Sequence, residues 1–156
     1  VENRATKICS ISGTSEASYP QIESIKDPER KKMCRLAISK LHIEEVDIGL
    51  FLLGREFDFE MKGLLATACD GSGLPVSKED LRTLHNRIEW AVKNNVLEDR
   101  ETLLNLKTER NARGHEPPTR EERETLLQSS RFLAGLYLES LVKIQEKARE
   151  FQKSSR

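Results

Sequence analysis

The longest repeating pattern in the chain runs from about Arg120 to Gln152, and it constrains the fold more than any other feature. Apolar residues recur there at steps of three, four or seven positions: Leu126, Leu133, Tyr137, Leu141, Ile144, Ala148 and Phe151. This spacing places an apolar stripe along one face of an α-helix. Such a helix must bury its stripe against other elements, so the pattern predicts a helical bundle.

The same helix is apolar on more than one face. Leu136, Leu138 and Val142 lie off the main stripe. A helix that is apolar over much of its circumference is either central in its bundle or shared with a partner. Both interpretations are open at the level of the sequence.

Composition supports helices elsewhere in the chain. Of the 156 residues, 33% are charged and only 5% are aromatic, with 8 Gly and 5 Pro. A β-sandwich or barrel is normally richer in aromatic and β-branched residues and in turns. We therefore predict one all-α domain, a bundle of four to six helices that ends in the long amphipathic helix.

Capping signals predict where the helices begin. Asp27 followed by Pro28 is typical of a helix start, and Ser77 and Thr119 each open a capping box. The Ser- and Thr-rich residues 1–26 are predicted to be a tail or linker, partly ordered near Tyr19 and Ile22, before a helical domain over 27–156. The apolar stretch that contains Gly49 and Gly54 is either one kinked helix or two.

Several classes of protein are disfavoured. The three cysteines (Cys9, Cys34 and Cys69) are odd in number and far apart, which predicts neither a disulfide framework nor a zinc site but a reducing, cytoplasmic location. No apolar run approaches the roughly 18 residues of a membrane span. No phosphate-binding loop or metal-ligand spacing is present, so we expect no metal and no cofactor. Because the sequence does not begin with Met, we expect it to be a piece of a longer protein.

One polar cluster combines residues suited to phosphate chemistry: Arg110, Asn111, Ala112, Arg113, Gly114 and His115. Arg110 and His115 are five positions apart, so they converge only if the helix ends between them, which Gly114 permits. Histidine can move protons near neutral pH, and the planar guanidinium can follow charge that grows on a phosphorane. The alternative is a helix end decorated with cations that favour its dipole, and spacing alone favours that alternative.

The segment from Asn94 to Glu146 resembles the HEPN superfamily (higher eukaryotes and prokaryotes nucleotide-binding domains). A short leucine-containing helix precedes the motif, Asn follows Arg at once, His follows after four residues, and a Thr-capped amphipathic helix closes the chain. The resemblance implies an all-α bundle, often a homodimer that brings two motifs together in one cleft. It also implies cleavage of single-stranded RNA without metal, which leaves a cyclic phosphate.

By matching positions, the resemblance makes Arg110 the phosphate-stabilising group, His115 the proton-transfer residue and Asn111 an orienting residue. It further implies a toxin or defence effector, with an antitoxin or a fused regulatory domain as partner. Some members have a Tyr two positions after the His; here Pro117 occupies that position, so modification of a tyrosine is not expected.

The net charge of zero conceals an uneven distribution. Residues 27–109 carry three more acidic than basic side chains, whereas residues 110–156 carry three more basic than acidic ones. This disfavours broad coating of nucleic acid but allows a small phosphate site, with Arg113 and Arg120 as candidate RNA-binding residues. Two alternatives stay open: a non-catalytic nucleotide-binding or dimerisation module of a larger protein, and a structural bundle.

Overall fold

A computed structural model describes residues 19–114 and 116–154, and every regular element in these ranges is helical. A 3-10 helix, Pro20–Ser24, precedes six α-helices. They are α1 Pro28–Ser39, α2 Val46–Gly71, α3 Lys78–Arg82, α4 Leu84–Lys93, α5 Arg100–Ala112 and α6 Arg120–Ser154. The predicted all-α bundle with a long C-terminal helix is confirmed.

Helices α2 and α6 pack along each other and carry most of the core. The rings of Phe57 and Tyr137 meet edge to face, with centroids 5.9 Å apart. Helix α1 packs on α2, and α4 and α5 cover another part of α2. In α6 the off-stripe Leu138 is fully buried and Leu136 is partly buried against the core, so α6 is central within this chain. Phe132 on the same helix is 70% exposed.

Helix α2 is one continuous helix of 26 residues, and its two early glycines mark close packing rather than a break. A Cβ atom at Gly49 would lie 2.7 Å from the carbonyl oxygen of Ala37 in α1. A Cβ atom at Gly54 would lie 2.7 Å from the Cγ atom of Arg110 in α5. The absence of a side chain at these two positions lets neighbouring helices approach α2.

The helix starts that the capping signals predict are confirmed. The Asp27 side chain accepts hydrogen bonds from the backbone N–H groups of Glu29 and Arg30. Ser77 and Asp80 form a reciprocal capping box with bonds of 3.1 and 2.9 Å. At the start of α6, the Glu122 N–H donates to the Thr119 hydroxyl over 3.2 Å, and the Thr119 N–H donates to the Glu122 carboxylate over 3.3 Å.

The apolar spacing of Leu81, Leu84, Ile88, Ala91 and Val92 predicts one helix after the Ser77 capping box. This prediction is wrong, because the segment forms two helices, α3 and α4, which meet at Thr83. Thr83 has an extended backbone, with φ −132° and ψ 160°. Its hydroxyl accepts a hydrogen bond of 3.1 Å from the Asn86 N–H and so caps α4. A Thr in an extended conformation is a favourable N-cap, and this local bond competes with continuation of α3.

The segment before α1 packs on the last helix. Tyr19, Ile22 and Ile25 are buried. The Gln145 side chain donates to the Ser24 carbonyl over 2.9 Å and accepts from the Lys26 N–H over 2.7 Å. The described part of the predicted tail therefore contributes to the core; residues 1–18 of that tail lie outside the described residues.

Candidate functional site

The candidate site is built at the C-terminal end of α5. The helix begins at Arg100, after Asp99, whose carboxylate accepts hydrogen bonds from the Thr102 hydroxyl (2.7 Å) and N–H (3.4 Å). It ends at Ala112, and Arg113 keeps right-handed dihedrals of φ −73° and ψ −15°. The helix therefore ends between Arg110 and position 115, as the motif requires. His115 itself lies outside the described residues.

Arg110, in the last turn of α5, is held at two of its nitrogen atoms. Its Nη2 donates to Oδ2 of Asp58 over 3.0 Å, and its Nη1 donates to Oδ1 of Asn111 over 3.2 Å. The side chain is still 37% exposed. A guanidinium has five N–H donors, so three of them have no hydrogen-bond acceptor among the described residues. This geometry gives Asn111 an orienting contact with Arg110.

Asp58 joins Arg110 to a second, buried arginine. Its other oxygen, Oδ1, accepts from Nη2 of Arg87 over 2.7 Å, and Nη1 of Arg87 donates to the Leu81 carbonyl over 2.6 Å. The side chains of Arg87 and Asp58 are only 5% and 8% exposed. Two guanidinium groups thus share one carboxylate, which leaves the cluster with one net positive charge. Arg110 is its exposed member.

Three helices meet beneath the stem of Arg110. Gly54 of α2 provides the space, because a Cβ atom there would also lie 3.0 Å from the Arg110 Cβ and 3.3 Å from the Tyr137 hydroxyl. That hydroxyl donates to the Leu106 carbonyl over 3.0 Å. Burial raises the pKa of Tyr137 well above its usual range, so its hydroxyl stays a donor. The stem of Arg110 therefore rests on packed core.

The two candidate RNA-binding arginines lie apart from the Asp58 cluster. Arg113 is paired with Glu109, Nε to Oε1 3.0 Å, and both side chains are largely buried. Burial raises the pKa of Glu109, and the charge of Arg113 opposes that rise. Arg120 is 73% exposed and lies 3.5 Å from Glu124 and 3.9 Å from Glu44. The side chains of these two arginines form no hydrogen bond with the side chain of Arg110 in the described ranges. Arg113 meets Arg110 through the backbone, where its N–H donates to the Arg110 carbonyl over 3.2 Å at the end of α5.

Two histidines, His42 and His85, lie in the described ranges, and each has a charged neighbour. His42 lies 3.7 Å from Glu45, and Nδ1 of His85 lies 3.2 Å from Nζ of Lys107. Within residues 19–114 and 116–154 no group of three or more His, Cys, Asp or Glu could hold a metal ion. The described helices are all too short or too polar to cross a membrane.

Sequence reasoning missed Asp58 and Arg87, which lie far from the motif in the chain. One signal was present: Asp58 stands between Phe57 and Phe59 in the apolar stretch of α2. A carboxylate there must be exposed or paired, since burying an unpaired charge is costly. The partners of such a residue lie on other helices, and periodicity does not identify them.

These features define the class of the molecule: an all-α helical bundle with a cationic site at one helix end. Comparison with protein-family models, with curated proteins and with solved structures finds no match. What the site does is therefore inferred from its own chemistry.

Proposed function

We propose that this chain is a metal-independent endoribonuclease domain of the HEPN type, which cleaves single-stranded RNA with Arg110 and His115. The anchoring and the exposure of the Arg110 side chain support this proposal. The guanidinium is anchored by Asp58 and Asn111, yet it is partly exposed and retains three N–H donors. A planar cation with free donors is suited to bind the non-bridging oxygens of a phosphodiester.

The proposed reaction needs no external nucleophile. The ribose 2′-oxygen attacks phosphorus, its proton passes to a base, and the 5′-oxygen of the next nucleotide leaves with a proton. The products are a 2′,3′-cyclic phosphate and a free 5′-hydroxyl. Negative charge grows on the phosphorus oxygens as the phosphorane forms, and Arg110 stabilises that charge. His115 either takes the proton from the 2′-hydroxyl or gives one to the leaving 5′-oxygen, because an imidazole has a pKa close to neutral pH.

The rest of the proposed function is based on the resemblance of the sequence to the HEPN superfamily. It includes a homodimer that places two Arg110/His115 motifs in one cleft, and a cytoplasmic role as a toxin or defence effector under an antitoxin or a fused regulatory domain. Arg120 is exposed and can contact the RNA backbone, whereas Arg113 is neutralised by Glu109. We therefore assign RNA contact outside the motif to Arg120 rather than to Arg113.

Cleavage of a short, end-labelled single-stranded RNA in EDTA tests the ribonuclease function. We expect the wild type to cleave and Arg110→Ala to be slower by about 100- to 1,000-fold, because it loses the group that stabilises the phosphorane. His115→Ala should lose about 100- to 10,000-fold through the missing proton transfer. The products should end in a cyclic phosphate, which gel mobility before and after acid treatment shows.

Arg100→Ala is the matched control. Arg100 lies at the other end of α5 and is also ion-paired, with its Nε 2.7 Å from Oε1 of Glu89. Its loss should leave the cleavage rate within about twofold of wild type, since exposed ion pairs of this kind contribute little. Equal cleavage by wild type and the Arg110→Ala/His115→Ala double variant would refute the ribonuclease function.

A second candidate is a non-catalytic binding or dimerisation module. One face of α2 supports it, because Ile48, Phe51 and Phe59 are each more than 40% exposed there. Exposed apolar residues along one helix face are typical of contact surfaces. This candidate gains if the protein forms a stable complex or dimer while wild type and the double variant show the same background of RNA cleavage.

A further inference from the structure

We infer that Asp58 is a positioning residue for Arg110, and that buried Arg87 keeps Asp58 from neutralising it. This inference rests on the proposed function and deepens it. It assigns a role in RNA cleavage to helices α2 and α4, which carry none of the residues predicted from the motif.

The two oxygens of the Asp58 carboxylate bind different arginines. Oδ1 accepts from Arg87 and Oδ2 accepts from Arg110, at 2.7 and 3.0 Å. A carboxylate bound to a single arginine frequently forms a bidentate ion pair, which occupies two of the guanidinium N–H donors. Because Arg87 occupies Oδ1, Asp58 contacts Arg110 through Nη2 only. The other donors of Arg110 are left to Asn111 and to solvent.

The burial of the three side chains determines where the net positive charge of the cluster lies. Asp58 and Arg87 are almost fully buried and compensate each other, whereas Arg110 is 37% exposed. The single net positive charge of the cluster is thus presented at the surface, at the end of α5. Without Arg87, the pair of Asp58 and Arg110 would be neutral and would attract a phosphodiester less strongly.

A purely structural role does not account for the contact with Arg110. Asp58 already has a buried partner in Arg87, and buried ion pairs contribute little net stability compared with apolar residues. The bond to Arg110 instead fixes a partly exposed side chain that would otherwise sample many rotamers. Its effect is to restrict where the guanidinium lies.

The experiment uses three variants and a matched control. Asp58→Asn keeps the shape but removes the charge, and Asp58→Asn/Arg87→Gln removes both buried charges so that none is left unpaired. Glu56→Gln is the control: Glu56 lies on the same helix, is similarly buried, and pairs with Arg30 at 3.2 Å rather than with Arg110. Arg110→Ala reports whether cleavage depends on the motif at all.

We expect Asp58→Asn and the double variant to lower kcat for RNA cleavage by about 10- to 100-fold with little change in KM, because the guanidinium is misplaced when the phosphorane forms. Glu56→Gln should keep kcat within about twofold of the wild type while it lowers the melting temperature. The double variant should melt closer to the wild type than Asp58→Asn does. A structural role predicts instead that kcat recovers together with the melting temperature, and that result would overturn the inference.

A measurement independent of cleavage separates this inference from the proposed function. The Nε–H group of Arg110 should give an ordered signal in ¹⁵N relaxation experiments on the wild type, and a more mobile one in the double variant. If wild type and Arg110→Ala cleave RNA equally, the ribonuclease function is wrong and the relaxation data alone decide the positioning. An Arg110 side chain as ordered in the double variant as in the wild type contradicts it.

Discussion

At the scale of single residues, the glycine beneath Arg110 determines where that arginine can lie. Gly54 has no side chain, so the aliphatic stem of Arg110 rests directly on α2. The Tyr137 hydroxyl lies beside the same space. A group at this position would displace the stem, and with it the guanidinium, relative to Asp58.

We expect Gly54→Ala to lower the free energy of unfolding by about 1–3 kcal/mol, because the added methyl would overlap the stem of Arg110. Its Cβ would lie 2.7 Å from the Arg110 Cγ, which is close to the backbone and cannot move away freely. Urea unfolding followed by circular dichroism measures the loss. RNA cleavage should fall in the same variant.

Gly63→Ala is the control for this prediction. Gly63 lies in the same helix, and a Cβ atom there meets nothing within 4 Å. Alanine is favoured over glycine inside a helix, so this variant should gain about 0.5–1 kcal/mol. If both substitutions stabilise the protein, Arg110 is not packed on Gly54 as described.

Because Cys34 is buried, we expect the free energy of unfolding to depend on pH in the alkaline range. Burial, reinforced by the charge of Glu56, raises the pKa of the Cys34 thiol from 9.0 to about 12, and Arg30 opposes the rise. The folded protein therefore keeps the thiol protonated where the unfolded chain loses its proton. The buried thiol contributes its full stability below the unfolded-chain pKa of 9.0. That contribution is lost as the pH rises from there toward the folded-state pKa of about 12.

Between these two pKa values the loss should approach about 1.4 kcal/mol per pH unit. Urea unfolding of the wild type and of Cys34→Ala at about pH 8 and about pH 10.5 isolates this contribution, because the tyrosines titrate in both proteins. The wild type should lose more stability than the variant over this range. Equal losses would mean that Cys34 is accessible to solvent in the folded chain.

At the scale of elements, helix starts were predictable from the sequence because caps are local. Asp27, Ser77 and Thr119 each bond to N–H groups two or three residues away, so the short motif contains the whole interaction. The break at Thr83 was missed for a related reason. Two capping residues six positions apart compete, and periodicity alone does not decide between one helix and two.

The cluster around Arg110 was predictable only in part. The end of α5 and the contact between Arg110 and Asn111 involve residues that are close in the chain, so local sequence bears on both. The contact with Asp58 joins residues 52 positions apart, and that with Arg87 joins residues 29 positions apart. Such pairs depend on how α2, α4 and α5 pack together, which apolar spacing in each helix leaves undetermined.

At the scale of the whole molecule, the proposed dimer can be tested on the long helix α6, where Phe132 is 70% exposed. Light scattering after size-exclusion chromatography should give twice the monomer mass. Phe132→Glu should shift the mass toward the monomer, because Phe132 is the most exposed of the large apolar side chains in the described ranges and lies on α6. Leu81→Glu, on the short helix α3, is the control. A monomer at all concentrations would contradict the dimer.

The interruption at Thr83 affects the electrostatics of a site built on a different helix. In an unbroken helix the Leu81 carbonyl would accept a hydrogen bond from the N–H group four residues later. The break frees that carbonyl, and it accepts instead from Arg87. A neutral peptide oxygen thereby satisfies Nη1 of the buried Arg87 and Asp58 satisfies its Nη2, while its Nε has no acceptor among the described residues. A backbone carbonyl at the end of α3 thus occupies a position beside Arg87 where a second carboxylate could lie. A second carboxylate would have cancelled the positive charge at Arg110.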